Sequence, residues 1–148
     1  MDSTASDTAA NARQMLEAME RGDVLAPDCP SRPVLQHLTS RWGVLVMAVL
    51  ATGTYRFAAL RRRIGGVSER MLAQTLQQLE ADGFVHRHDF GEVPPRVEYS
   101  LTPLGIEAAR HVVALVSWIE GNIATILQAQ TVRQSLRPSA DRNVPASA

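Results

Sequence analysis

Three polar side chains of the sequence, Arg70, Gln74 and Gln77, recur at the spacing of one face of an α-helix. Arginine can form two hydrogen bonds to guanine, and glutamine two to adenine, at the edge of the major groove of DNA. Ser68 precedes them, where its hydroxyl would cap the helix and the helix N-terminus could hold a phosphate. The same spacing also occurs on ordinary solvated helix faces, so the surrounding residues must decide between the two interpretations.

Arginines are concentrated just before this face. All the basic residues are arginines, and five of them lie within residues 56–70 beside a single acid. The formal net charge is zero, but a local cluster is what a nucleic-acid footprint requires. The run Arg61-Arg62-Arg63 could neutralise phosphates or simply solubilise the helix. Arg56 and Arg96 fall in extended or loop segments, where contacts to phosphate or to the minor groove are natural.

Cys29 is the only cysteine, which excludes an intramolecular disulfide and a zinc site built from cysteines. A disulfide could therefore only link two subunits or involve a small thiol. The helical segment that follows Pro30 and the nearby Arg32 would favour a reactive thiolate, whereas Asp28 would disfavour it. Cys29 is thus a candidate sensor, and an inert, partly buried thiol is the alternative.

Metal and catalytic chemistry find little support in the sequence. His86 and His88 would share a strand face, but no third ligand is assured, so we expect no metal and no cofactor. No nucleophile lies in a glycine-rich elbow. We therefore expect no enzymatic activity.

The two segments that would carry the polar residues have amphipathic patterns. Residues 57–64 place Phe57, Leu60 and Ile64 on one helix face, with Arg62 pointing directly away. Residues 69–82 form a second helix, which turns three leucines inward: Leu72, Leu76 and Leu79. The short connection Gly65-Gly66-Val67-Ser68 matches a helix-turn-helix arrangement.

A hairpin and a long helix follow. Residues 84–88 and 97–101 predict two strands, joined by a connection that is long enough to protrude. Thr102 and Pro103 begin a helix that could run to about Gln130, with a continuous apolar stripe. Such a helix would be ~40 Å long. Because this exceeds the span of the preceding small domain, we expect part of the stripe to need a partner chain.

The remaining segments are shorter. Helices are predicted near residues 12–20, 34–38 and 42–50, and residues 55–57 could form a brief extended piece. The tails rich in small and polar residues predict a domain at 11–131 between disordered ends at 1–10 and 132–148.

Length and composition describe one ordinary globular domain. The chain has 148 residues, of which 45% are hydrophobic and 20% charged. No apolar run approaches the ~20 residues of a membrane span, and the first ten residues do not resemble a signal peptide. We therefore expect a cytoplasmic protein without a membrane partner.

Residues 29 to about 119 resemble the HxlR-type winged helix-turn-helix regulators. The resemblance rests on Cys29-Pro30, Arg41-Trp42, the Gly-Gly-Val-Ser turn and above all the segment Val-Pro-Pro-Arg-Val-Glu-Tyr-Ser-Leu-Thr-Pro-Leu-Gly. It implies a mainly α fold with a small β-hairpin wing, and a homodimer formed through the terminal helices. Gly43 departs from the pattern, because a polar or β-branched residue is more common there; at Gln77 and Gln78 a basic residue often appears.

The resemblance also implies a function. It indicates a bacterial transcriptional regulator, more commonly a repressor, whose second helix enters the major groove of double-stranded DNA while the wing contacts the minor groove or the backbone. A homodimer would bind a pseudo-palindromic operator. Several such regulators sense electrophiles or oxidants through a cysteine at the position of Cys29, and a small apolar inducer is another possibility. Two alternatives remain open: a winged helix that contacts proteins without binding DNA, and a small-molecule carrier or enzyme.

Overall fold

A computed structural model describes residues 3–22 and 24–137 of the chain. Its elements divide between two units, Met1–Val112 and Val113–Ala148. The elements in chain order are the following: α1 (Ser3–Gly22), α2 (Ser31–Thr39), α3 (Arg41–Leu50), β1 (Tyr55–Arg56), α4 (Phe57–Arg63), α5 (Glu69–Ala81), β2 (Val85–Asp89), β3 (Val97–Leu101) and α6 (Pro103–Ser135).

The core of the first unit forms where the apolar faces of its helices meet. Leu60 and Ile64 of the helix predicted at residues 57–64 are buried, as are the three inward leucines of α5. From α3, the wholly buried residues are Val46 and Met47. The amphipathic patterns of α4 and α5 were therefore predicted correctly, and α3 supplies the apolar surface against which both helices pack.

The sheet has three strands, one more than the predicted hairpin. β2 and β3 pair antiparallel, and the two-residue strand β1 adds to the other edge of β3, which gives the order β1-β3-β2. Tyr99 and Leu101 of β3 pack against the core, whereas Val93 in the connection is 97% exposed. The brief extended piece expected at residues 55–57 is confirmed for Tyr55–Arg56, while Phe57 begins α4. Its pairing with β3 was not predicted, because so short a segment has no alternation that a sequence could reveal.

The first turn of α3 has no room for a side chain at Gly43. Ser40 caps α3 by accepting a hydrogen bond from Gly43 N at 3.1 Å, and its own hydroxyl donates to His37 O. A Cβ atom on Gly43 would collide with the His37 carbonyl oxygen. Glycine is therefore the residue that fits at position 43 of this structure.

We expect Gly43→Ala to lower the free energy of unfolding by about 1–3 kcal/mol, the usual cost of overpacking. The better helix propensity of alanine, worth about 1 kcal/mol, acts in the opposite direction, but the obstacle is a backbone carbonyl that cannot rotate away. Urea unfolding at a fixed protein concentration measures the change. Gly121→Ala is the matched control, since its Cβ would meet no described atom within 4 Å and should be neutral or stabilising. Equal losses in the two variants would contradict the steric explanation.

Both terminal helices extend beyond the boundaries expected from the sequence. α1 begins at Ser3 rather than near residue 12, so residues 3–10 are helical where we expected a tail. The reason is local composition, since alanine favours the helix even without an apolar face. α6 ends at Ser135 rather than near Gln130. The rest of the expected C-terminal tail, from residue 138, lies outside the described residues.

α6 also corrects the expectation that no apolar run has the length of a membrane span. By length and composition alone, this helix is long and apolar enough to cross a membrane. Small uncharged residues such as Ser117, Gly121 and Thr125 interrupt its apolar run without adding charge, which hides its length from inspection. Its first turns belong to the core of the first unit, where Ala109 and Val112 are buried.

Candidate nucleic-acid interface

The turn between α4 and α5 is shaped by glycine and closed by a serine cap. Ile64 ends α4, and Gly66 follows with a positive φ of 87°, a conformation that glycine adopts without strain. Val67 is buried and anchors the turn, while the Ser68 hydroxyl accepts a hydrogen bond from Met71 N at 3.1 Å. The predicted N-cap is therefore confirmed, and the N-terminus of α5 begins at an exposed corner.

The polar face of α5 is open to solvent. Arg70, Gln74 and Gln77 are all exposed, on the side opposite the buried leucines. Within the described residues, none of these three side chains has a hydrogen-bond or ion-pair partner. Each can therefore turn its donors and acceptors towards an external group, as contacts to base edges require.

A concave surface of about 610 Å³ lies between α4 and the N-terminus of α5. Arg61, Arg62 and Ser68 line it together with the apolar Phe57 and Val67. Arg61 is held in place, because its Nε donates to Val67 O at 3.3 Å and its Nη1 lies 3.1 Å from Glu69 Oε1. Both partners of this ion pair are exposed, so it adds little stability. The surface combines cationic side chains with a helix N-terminus, which suits a phosphate.

In the wing, Arg96 is fixed rather than free. Its Nε and Nη2 donate to Glu98 Oε1 at 3.2 and 2.8 Å, and its guanidinium lies 4.2 Å from the centre of the Phe90 ring. The hydrogen bond to Glu98 raises the pKa of Arg96 above its ordinary value, so this side chain stays cationic. A planar cation that is held in this way loses less freedom when it binds an anion.

Arg56 lies on the same sheet face as the Arg96–Glu98 pair. Its Cα is paired with that of Glu98 across β1 and β3, and it is also the N-cap residue of α4. Glu98 and Phe90 were not among the residues predicted for the site, although one signal for Glu98 is present in the sequence. Residues two apart on a strand share a face, which links Arg96 to Glu98 once β3 is assigned.

Cys29 lies in the first unit, at the loop between α1 and α2. It is 7% exposed and lines a cavity of about 800 Å³ whose other walls include Leu25, Pro30 and Leu35. The guanidinium of Arg32 donates to the carbonyls of Val24 and Leu25 at 3.0 and 2.8 Å, so it fixes the loop. Thus the cationic group that was predicted to favour the thiolate binds backbone carbonyls instead.

The histidines of β2 are brought together, but not as a metal site. The ring centres of His86 and His88 lie 6.0 Å apart, and the His88 ring meets Phe90 edge-on at 4.3 Å. Among the described residues, no group of three potential ligands is close enough to hold a metal ion.

Comparison with known proteins identifies the architecture. A family model described as HxlR-like helix-turn-helix matches residues 37–126. The HTH-type transcriptional regulator YtfH of Escherichia coli (strain K12) is 54% identical over 117 residues, which cover 79% of this chain and 93% of that protein. The solved structure of the regulator ytfH from Salmonella typhimurium has a TM-score of 0.72 and 55% identity, and covers 74% of this chain and 98% of that chain.

A second solved structure, the redox regulator HypR in its reduced form, has a TM-score of 0.62 and 34% identity; it covers 67% of this chain and 98% of that chain. The match to the family model begins at residue 37 and so includes α3, the helix-turn-helix and the wing. The sequence-based prediction of a winged helix-turn-helix is confirmed. The chain belongs to the HxlR-like helix-turn-helix family and is a DNA-binding transcriptional regulator of that family.

Proposed function

We propose that the protein acts as a homodimer that represses transcription by covering a pseudo-palindromic operator in double-stranded DNA. The observation that carries this proposal is the exposed face of Arg70, Gln74 and Gln77 on α5, with no partner among the described residues. Two copies of α5 would enter successive major grooves, roughly 34–36 Å apart. Arg61 and Ser68 would contact phosphate beside the groove. The wing would present the fixed cation Arg96, with Arg56 beside it.

The second unit supports the homodimer. Residues 113–135 of this unit belong to α6, and Glu120 is the single acid between residues 113 and 132. Its stripe alternates spacings of three and four residues, as in a coiled-coil seam: Val116, Ile119, Ile123 and Ile126. A second copy of the chain would cover these side chains. Sedimentation without detergent tests this step, and a protein that stays with the membrane fraction would contradict it.

Selection of duplexes from a random pool tests the function. Reduced protein at near-physiological salt should enrich a two-fold-symmetric sequence, and its affinity should fall steeply with salt because arginines displace counterions from the backbone. The competing function is a winged helix that binds proteins only. A folded dimer that enriches no sequence would favour that function and overturn ours. Binding of this kind requires neither a catalytic residue nor a cofactor.

We further propose that Cys29 or its cavity receives the signal that releases DNA, from an electrophile, an oxidant or a small apolar ligand. The concave site that Cys29 lines and the likeness to HypR, which is described as a redox regulator, support this step. With one cysteine in the chain, a disulfide would join two subunits or capture a small thiol.

We expect diamide to weaken operator binding by the parent protein about 5- to 150-fold, the usual range of allosteric coupling. Cys29→Ser should abolish this response and retain the affinity of the reduced parent, because serine has nearly the same size and no thiolate. Anisotropy titration of a labelled operator measures both. If Cys29→Ser lost DNA to the same degree in diamide, the thiol would not be the sensor.

A further inference from the structure

A partly buried hydrogen bond between side chains connects α2 to the end of α5. The Nδ1–H of His37 donates to Asp82 Oδ2 at 2.6 Å, between residues 45 positions apart in the chain. The two side chains retain only 23% and 15% of their exposure. This contact is therefore more shielded from competing water than the exposed Arg61–Glu69 pair.

The position of Asp82 is unfavourable without this partner. Asp82 is the C-cap residue of α5, and its backbone N–H donates to Gln78 O. The C-terminal end of a helix carries a partial negative charge, which repels a carboxylate. His37 removes part of this cost and lies in the last turn of α2. The contact with His37 thus stabilises a carboxylate at a helix end whose partial charge disfavours it. Asp82 therefore has a role other than capping α5.

Asp82 also stands at the junction between the helix that carries the polar face and the wing. Gly83 follows it with a φ of 84°, and β2 begins at Val85. On the far side of this junction, the Thr102 hydroxyl donates to Gly83 O, and Thr102 N donates to Phe84 O at 3.0 Å. The junction is therefore held from α2 on one side and from the start of α6 on the other.

We infer that His37 and Asp82 are a positioning pair, which sets the placement of α5 relative to the wing and so determines how well the protein discriminates its operator from other DNA. The pair need not touch DNA. It acts by fixing the orientation of α5 relative to the wing. This orientation determines which base edges the exposed Arg70, Gln74 and Gln77 can contact. This inference rests on the proposed operator binding.

The test compares operator affinity with affinity for a scrambled duplex. We expect His37→Phe, which keeps the ring and loses the donor, to lower this specificity ratio about tenfold, the scale of one lost base contact. Asp82→Ala should lower it equally, although removal of an anion would by itself strengthen binding to all DNA. The double variant should be no worse than either single variant, because the two residues act as a unit.

Two controls separate positioning from folding. His37→Gln keeps an N–H donor and should restore most of the ratio. Glu80→Ala removes an exposed acid two residues from Asp82 and should not lower it. Circular dichroism confirms that each variant is folded during the titration. If the wild-type protein binds its operator and both His37→Phe and Asp82→Ala leave the specificity ratio unchanged, the inference alone is overturned. If the wild-type protein binds no duplex, the proposed function is overturned as well.

Discussion

The double variant Ile119→Glu/Ile123→Glu is expected to be a monomer whose operator affinity is lower by about 10²–10⁴-fold. The two isoleucines lie one turn apart on α6 and are 37% and 39% exposed in the single chain. In a dimer seam, four carboxylates would lose water without gaining cationic partners. A monomer binds one half-site only. In a dimer the second half-site is bound intramolecularly at a high effective concentration, which commonly raises the affinity by about 10²–10⁴-fold.

Sedimentation velocity and anisotropy with the selected operator measure the two parts of this prediction. Thr125→Glu is the control, because it adds one glutamate of the same kind at an exposed position on the opposite side of the helix. It should remain dimeric and bind normally. Since both isoleucines lie beyond the core of the first unit, the far-ultraviolet spectrum should be retained. A double variant that sediments as a dimer would mean that another surface joins the subunits.

The sequence was sufficient for the elements whose side chains have a strict period. Leu72, Leu76 and Leu79 repeat with the helix, and all three are buried. The caps Ser68 and Thr102 were also predictable, since their hydroxyls accept from backbone N–H groups three residues on, at 3.1 and 3.0 Å. In these places local chemistry and tertiary packing demand the same structure.

The sequence was insufficient where partners come from distant segments. Nothing near His37 predicts Asp82, because the contact exists only once α2 and α5 are packed. The proximity of Arg32 to Cys29 in the sequence predicts an activated thiol, but in the structure its guanidinium donates to the carbonyls of Val24 and Leu25. Likewise, the clash at Gly43 becomes apparent only when the His37 carbonyl is in position.

The site residues themselves were identified by type and spacing, and their individual roles stay predictions. The structure divides them into two classes. Arg70, Gln74 and Gln77 are exposed without partners among the described residues, which suits base contacts that form on binding. Arg61 and Arg96 are already tied to carboxylates, which suits contacts to phosphate or groove whose position is set beforehand.

The largest loss of specificity is expected from the exposed face of α5. Gln77→Ala should lower operator affinity by about 30- to 10⁴-fold, because one lost bidentate base contact is worth about 1–3 kcal/mol and a palindrome contains the contact twice. Affinity for a scrambled duplex should stay the same, and so should the salt dependence, since glutamine releases no counterion. Gln78→Ala is the matched control, being the same change at a half-buried neighbour, and should leave the affinity near that of the parent.

Arg56→Ala is expected to change the salt dependence of binding without changing the specificity ratio. A phosphate contact carries no sequence information, so its loss should weaken binding to operator and scrambled duplex alike. The slope of log K against log salt should become shallower by about 1 for each subunit. Titrations between ~50 and ~200 mM salt distinguish the two classes. If Gln77→Ala and Arg56→Ala weakened both duplexes equally, the face of α5 would not read bases, and the operator would have to be recognised through DNA shape and the wing.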